Sequence, residues 1–131
     1  MKGVDTNLLI RYLTYDDPVQ SPKAAAWIER HVTENSPGYV NLVTIAEVVW
    51  VLRSVYDLTA VEIAAIVERI LQIESLVIQN QQQVHFAMYQ LKAGSGSFAD
   101  ALIGAVNQWA GCESTLTFDK KSLRLGGFEL A

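Results

Sequence analysis

Apolar residues run along this chain in two alternating rhythms, short unbroken runs and longer stretches spaced by three or four. The second rhythm marks a helix that buries one stripe, and the first suits a strand covered on both faces. Residues 1–5 make a first short strand. Leu8, Leu9, Tyr12 and Leu13 place a helix over 7–14, and Asp16-Asp17-Pro18 stops it. Ser21-Pro22 has the form of an N-cap followed by a first-turn proline, predicting a helix to about Asn35. After Ser36-Pro37-Gly38 comes a β-rich run, Tyr39 to Val43.

Thr44-x-x-Glu47 and Thr59-x-x-Glu62 both have the form of a capping box. They head helices reaching about Tyr56 and, in the second case, turning Val61, Ala64, Ala65, Val67 and Leu71 inward. Leu76-Val77-Ile78 predicts a buried strand, and 80–92 a helix closed by Gly94. Ser97-x-x-Asp100 opens a further helix carrying Leu102, Ile103, Ala105, Val106 and Trp109, ended by Gly111. Residues 113–117 and 128–130 are the fourth and fifth strand candidates. Helices between short buried strands predict an α/β chain: one domain over 1–131, in three α/β/α layers around a central, mostly parallel sheet of four to five short strands. In such sheets a ligand lies outside the carboxyl ends of the strands, which directs attention to the residues there.

Two acids stand at those ends, and two more near helix starts can share the same rim. Asp5 follows the first strand and Asp119 the fourth, while Glu47 lies near the start of the helix after the second. Asp100 lies in a first turn among Phe98, Ala99, Ala101, Leu102 and Ile103, where an unpaired carboxylate would be costly to bury. Each acid has a structural use as well. Asp5 or Asn7 can cap the first helix, Glu47 and Asp100 fit capping boxes with Thr44 and Ser97, and Asp119 before Lys120-Lys121 can be a turn. Taken together at one rim, gathered carboxylates repel one another, and a hard divalent cation with oxygen ligands is the usual compensation. A metal-dependent hydrolase or phosphoryl-transfer site is therefore the chemistry these residues suit. A phosphoacceptor fold would need an aspartate after its middle strand, where Gln79-Asn80 stands, and an aspartyl-phosphate enzyme would need one at Asn7.

Composition narrows the rest. Half of the 131 residues are hydrophobic and 18% are charged, enough apolar material for one core and too much for a disordered tail. A single cysteine, Cys112, allows no internal disulfide and points to a reducing compartment. No basic-then-apolar leader opens the chain, and no uncharged apolar stretch has the length of a membrane span, so a cytoplasmic protein without a membrane partner is expected. The net charge of −4 excludes the globally basic surface of many nucleic-acid binders. Setting the four rim acids aside leaves ten acids against ten bases, so that acidity argues for a cutting site more than against RNA.

The segments Val4-Asp5-Thr6-Asn7-Leu8-Leu9, Thr44-Ile45-Ala46-Glu47-Val48, Phe98-Ala99-Asp100-Ala101-Leu102-Ile103 and Thr117-Phe118-Asp119-Lys120-Lys121 together resemble the PIN-domain ribonucleases. Within that family the likeness is greatest to the VapC-type toxins of toxin–antitoxin modules. The resemblance implies Mg²⁺- or Mn²⁺-dependent endonucleolytic cleavage of RNA by a quartet of Asp5, Glu47, Asp100 and Asp119. It makes Asp5, Asp100 and Asp119 the metal ligands, with Asn7 and Thr117 in support. Many relatives carry another acid where this chain has Ser97, which puts a second metal position in doubt. A PIN-like module that binds RNA or protein without cutting is the alternative.

Arg11, Lys120 and Lys121 are the candidates for RNA phosphates, with Lys92 and Arg124 near the same rim. His31 and His85 have no spacing partner and read as structural or surface residues, and Cys112 as a small buried one. Trp27, Trp50 and Trp109 read as core or subunit contacts. The resemblance further implies a homodimer, or a hetero-oligomer with a cognate antitoxin that lays a helix on the toxin. DNA would then be bound only through that partner.

Overall fold

A computed structural model describes residues 1–131. Its elements are β1 (Lys2–Gly3), α1 (Thr6–Thr14), α2 (Gln20–His31), β2 (Gly38–Val40), α3 (Leu42–Ser54), α4 (Ala60–Gln72), β3 (Leu76–Ile78), α5 (Gln81–Ala93), α6 (Phe98–Trp109), β4 (Thr115–Thr117), a 3₁₀ turn (Lys120–Leu125) and β5 (Phe128–Leu130). The alternation of strands and helices is the α/β order that the periodicity predicts. All strand pairs are parallel. The five strands fall into two sheets, β1-β2-β3 and β4-β5, because no hydrogen-bond ladder joins one set to the other. The chain divides into two compact units, Met1–Leu58 with Arg69–Gln79, and Thr59–Glu68 with Asn80–Ala131. No helix is long and apolar enough to cross a membrane.

In the first unit β2 is the central strand, with Gly38 opposite Lys2 on one side and Leu76 on the other. Gly38 is buried, and a Cβ there would come within 2.9 Å of both the Leu76 and the Val4 side chains. Glycine is therefore a packing requirement at this position. The ladder extends past β1, where the Val4 N–H donates to Tyr39 O at 2.9 Å. Helix α1 buries Leu9, Ile10 and Leu13, and α3 buries Ile45, Val48, Val49 and Leu52. Each fully buried side chain of this kind contributes roughly 1.5–3 kcal/mol. The second unit is built on α5 and α6 packed against each other, with Val84, Ala87, Met88 and Leu91 buried on α5 and Phe98, Ala101 and Leu102 on α6. Between them Gly94 takes the left-handed conformation (φ 75°) and closes α5, as its place after Lys92 predicts.

Several local expectations are corrected. Ser21 does not cap α2: the helix begins at Gln20, and Asp17 Oδ1 accepts the N–H groups of Val19 and Gln20 at 2.9 and 2.6 Å. Ser21 is buried instead, its Oγ accepting from Asp17 N at 3.2 Å, and α2 ends at His31 rather than near Asn35. Strand β2 stops at Val40 because Asn41 caps α3, its Oδ1 accepting from Thr44 N at 2.9 Å. Thr44 is thus inside the helix, and the Thr44/Glu47 capping box does not form. Gln79 Oε1 takes the Leu42 N–H at 2.9 Å and satisfies a second orphan donor of the same helix start. The Thr59/Glu62 box does form, with reciprocal bonds of 3.0 and 3.2 Å, and the Thr59 N–H on the Glu62 carboxylate, helped by the Thr59 hydroxyl, holds that carboxyl below its usual range.

Burial departs from the apolar spacing at several positions. On α4 the buried residues are Ile63, Ala64, Val67, Ile70 and Leu71, whereas Val61 and Ala65 are exposed. Positions two residues off the stripe are about 200° round the helix and cannot share its face. Trp50 and Trp109 are 63% and 70% exposed, so neither is a core residue, and Val77 in β3 is also exposed. Cys112 is exposed in the turn after α6, where Gly111 (φ 99°) carries the chain away from the helix. The histidines are as expected: His31 lies against Trp27 and His85 against Tyr89, both on helix surfaces.

Candidate active site

The first unit places Asp5 and Glu47 on one cavity of about 720 Å³. Asp5 reaches it because the chain leaves β1 through buried Val4 and turns at once into α1. Its extended backbone and its side chain make it the N-cap, with Oδ1 accepting from Leu8 N at 3.0 Å. The capping use is therefore real, and it fixes the carboxylate at the end of the strand. Glu47 comes from α3, in the second turn, exposed on the side away from Ile45, Val48 and Val49. With Asn41 closing the helix start, the Glu47 carboxylate is free of the capping work that its spacing suggested.

Asn7 and Arg11 line the same cavity, one turn apart on α1. Gln20 Oε1 accepts from both, from Asn7 Nδ2 at 3.4 Å and from Arg11 Nε at 3.0 Å. Arg11 Nη1 also donates to the Tyr56 hydroxyl at 3.0 Å and pairs with Asp16 Oδ1 at 3.3 Å. Thr14 Oγ1 donates to the same Asp16 oxygen at 2.7 Å. The Thr14 hydroxyl, with further bonds from Tyr56 and Arg11, holds the Asp16 carboxyl below the usual carboxylate range.

The second unit holds Asp100 and Asp119. Ser97 caps α6 by accepting the Asp100 N–H at 3.1 Å, which leaves the half-buried Asp100 carboxylate outside that bond. Asp119 caps the 3₁₀ turn, its Oδ1 accepting from Lys121 N at 2.9 Å, while its own N–H goes to Thr117 Oγ1 at 3.0 Å. Thr117 thus orders the backbone at Asp119. Lys120 and Lys121 are exposed just beyond it. A cavity of about 320 Å³ in this unit is lined by Gly104, Cys112, Thr115 and Phe128 and takes in neither acid.

The family pattern for a PIN domain matches residues 3–127, which takes in both units and all four acids. The chain belongs to the PIN domain family. No curated protein and no solved structure matches it. PIN domains are in general nucleases, commonly served by divalent metals. In this PIN domain Asp5 and Glu47 bring carboxylate oxygens of the kind such a cation takes to the first unit's cavity, while Asp16 is engaged by Arg11 and Thr14. Within either unit, however, no three His, Cys, Asp or Glu side chains form a group that could hold an ion by themselves. Two residues on the PIN domain's cavity, Asp16 and Tyr56, escape sequence reasoning. Asp16 reads as part of a helix stop and Tyr56 as a helix end, and the Arg11–Tyr56 bond spans 45 positions, beyond any local pattern.

Proposed function

We propose that this PIN domain is a Mg²⁺- or Mn²⁺-dependent endoribonuclease, the toxin of a type II toxin–antitoxin pair working in the cytoplasm. The observation that carries the reading is the pair Asp5 and Glu47 on one cavity, each presented by a different helix, inside a family match that also spans Asp100 and Asp119. Asp5, Asp100 and Asp119 are the residues that would hold the cation. When bound, such an ion lowers the pKa of a coordinated water and offsets charge growing on phosphate oxygens. Glu47 orients the attacking water and accepts its proton. The water oxygen bonds to phosphorus, the P–O bond to the leaving ribose breaks, and that oxygen takes a proton from solvent. Asn7 and Thr117 steady the first and last carboxylates, while Arg11, Lys120 and Lys121 hold flanking phosphates.

The antitoxin and a second copy of the chain are the protein partners proposed. Support comes from Val43 and Trp50 on α3 and Val55 just past its end, apolar side chains left exposed on the surface. The non-cleaving alternative is favoured by one feature, the Ser97 hydroxyl, which is occupied as a cap where many relatives have an acid. Purified protein incubated with single-stranded RNA decides between them. Fragments are expected with Mg²⁺ or Mn²⁺, and none with chelator or in Glu47→Gln. Intact RNA with both ions, at protein concentrations where RNA is bound, would establish the non-cleaving module instead.

A further inference from the structure

One wall of the first unit's cavity carries chemistry that the carboxylates do not use. Arg11 is held there by three acceptors, Gln20 Oε1, the Tyr56 hydroxyl and Asp16 Oδ1, at 3.0, 3.0 and 3.3 Å. A guanidinium has five N–H donors, and these bonds use Nε and Nη1 alone, so both Nη2 hydrogens are free for a ligand. The same bonds fix the fork in advance, which removes most of the side-chain entropy that binding would otherwise cost. Tyr56 has its hydroxyl engaged on the protein side, so its half-buried ring stands fixed on the cavity next to Val51 and Val55. Arg11 lies six residues along the chain from Asp5, about 9 Å at the rise of a helix.

The cavity therefore joins three carboxylates, one of them (Asp16) paired with a fixed cation, and an aromatic face with an apolar flank, in about 720 Å³. That volume lies within the roughly 300–1,000 Å³ of small-ligand sites. A free anion would meet the repulsion of Asp5, Asp16 and Glu47 with only Arg11 in its favour, and it would gain nothing from the ring. A duplex keeps its bases stacked inside and cannot offer them to a ring. An unpaired nucleotide presents a phosphate and a π-face together, and it matches both features of the wall.

We propose that Arg11 and Tyr56 form a subsite for one unpaired nucleotide, Arg11 Nη2 taking its phosphate and the Tyr56 ring its base. The inference rests on the ribonuclease reading for the identity of the strand. It adds that Tyr56 stacks on one base of that strand and so helps to select it.

The test is binding without catalysis. Wild-type protein in chelator is titrated into a labelled single-stranded RNA and followed by fluorescence anisotropy. Tyr56→Leu is expected to weaken binding about tenfold, the scale of one base stacked on an aromatic ring. Tyr56→Phe restores most of the affinity, because the ring remains. Arg11→Met lowers the dependence of log K on log salt by about one phosphate's worth. An RNA with abasic positions tests the same contact on the unaltered protein and is expected to bind about tenfold more weakly. Equal affinity for abasic and intact RNA, or a folded Tyr56→Leu protein that binds like wild type, would overturn the proposal. These affinities are read without cation, so they stand apart from whether the wild type cleaves RNA when Mg²⁺ is restored.

Discussion

Asp5 is given two tasks, as cap of α1 and as ligand in the proposed reaction, and two substitutions separate them. Its Oδ1 accepts the Leu8 N–H at 3.0 Å, one of the orphan donors of the helix start. Asparagine is as good an N-cap as aspartate, so Asp5→Asn keeps that bond and loses only the charge facing the helix dipole. In moderate salt the loss is a few tenths of a kcal/mol. Asp5→Ala removes the bond as well, at a further cost of about 1 kcal/mol. For 131 residues an unfolding entropy of about 2.1 cal/mol/K per residue makes 1 kcal/mol equivalent to about 3 to 4 °C in Tm. Asp5→Asn is thus expected to melt within about 2 °C of wild type, and Asp5→Ala about 4 to 5 °C lower. Both lose RNA cleavage, because neither amide nor methyl supplies a charged oxygen. Thermal melts followed by circular dichroism, beside cleavage of a labelled RNA, read the two tasks independently. Cleavage by Asp5→Asn at the wild-type rate would refute the catalytic assignment, and an unchanged melt for Asp5→Ala would refute the cap.

Two further outcomes test the local structure. Asn41→Ala is expected to cost about 1 kcal/mol in urea unfolding, since Asn41 closes α3. Thr44→Ala is expected to be neutral or stabilising by a few tenths, because alanine is the better interior helix former; the reverse order would restore the Thr44/Glu47 capping box. Glu74 beside Glu34 pushes the Glu34 carboxyl above its usual range, through the proton they share and through repulsion. A folded value above the unfolded one means that this pair's contribution is full at low pH and is lost as pH rises through the raised value. Glu74→Gln should accordingly raise Tm relative to wild type near neutral pH and lose that advantage on acidification. A pH-independent difference would argue against the coupling.

What could be read from the chain alone was whatever depends on near neighbours. Helical spacing located all six α-helices, because a buried stripe must recur every three to four residues wherever the helix goes. Gly94 and the Thr59/Glu62 pair marked their helix ends correctly, since a cap joins groups two to four residues apart. Asp5 and Asp119 were visible as residues following strands, and Glu47 and Asp100 as acids near helix starts, and the family pattern spans all four. Competition between neighbours was less legible. Asp17 outreached Ser21, and Asn41 displaced Thr44, because the side chain that caps is decided by where the incoming chain bends.

The tertiary structure decided what depends on distant segments. Trp50, Trp109 and Cys112 lie on the surface because nothing in the chain covers them, and periodicity tells which residues share a face but not what meets it. The strands divide into two ladders because pairing requires backbones from remote positions to come within hydrogen-bonding reach. The same is true of the cavity. Asp5, Glu47 and the Arg11–Asp16–Tyr56 cluster come to one place only when α3 packs beside α1. The residue types that could do chemistry were therefore in the sequence, while their partners were set by packing, which joins groups that the chain itself keeps far apart.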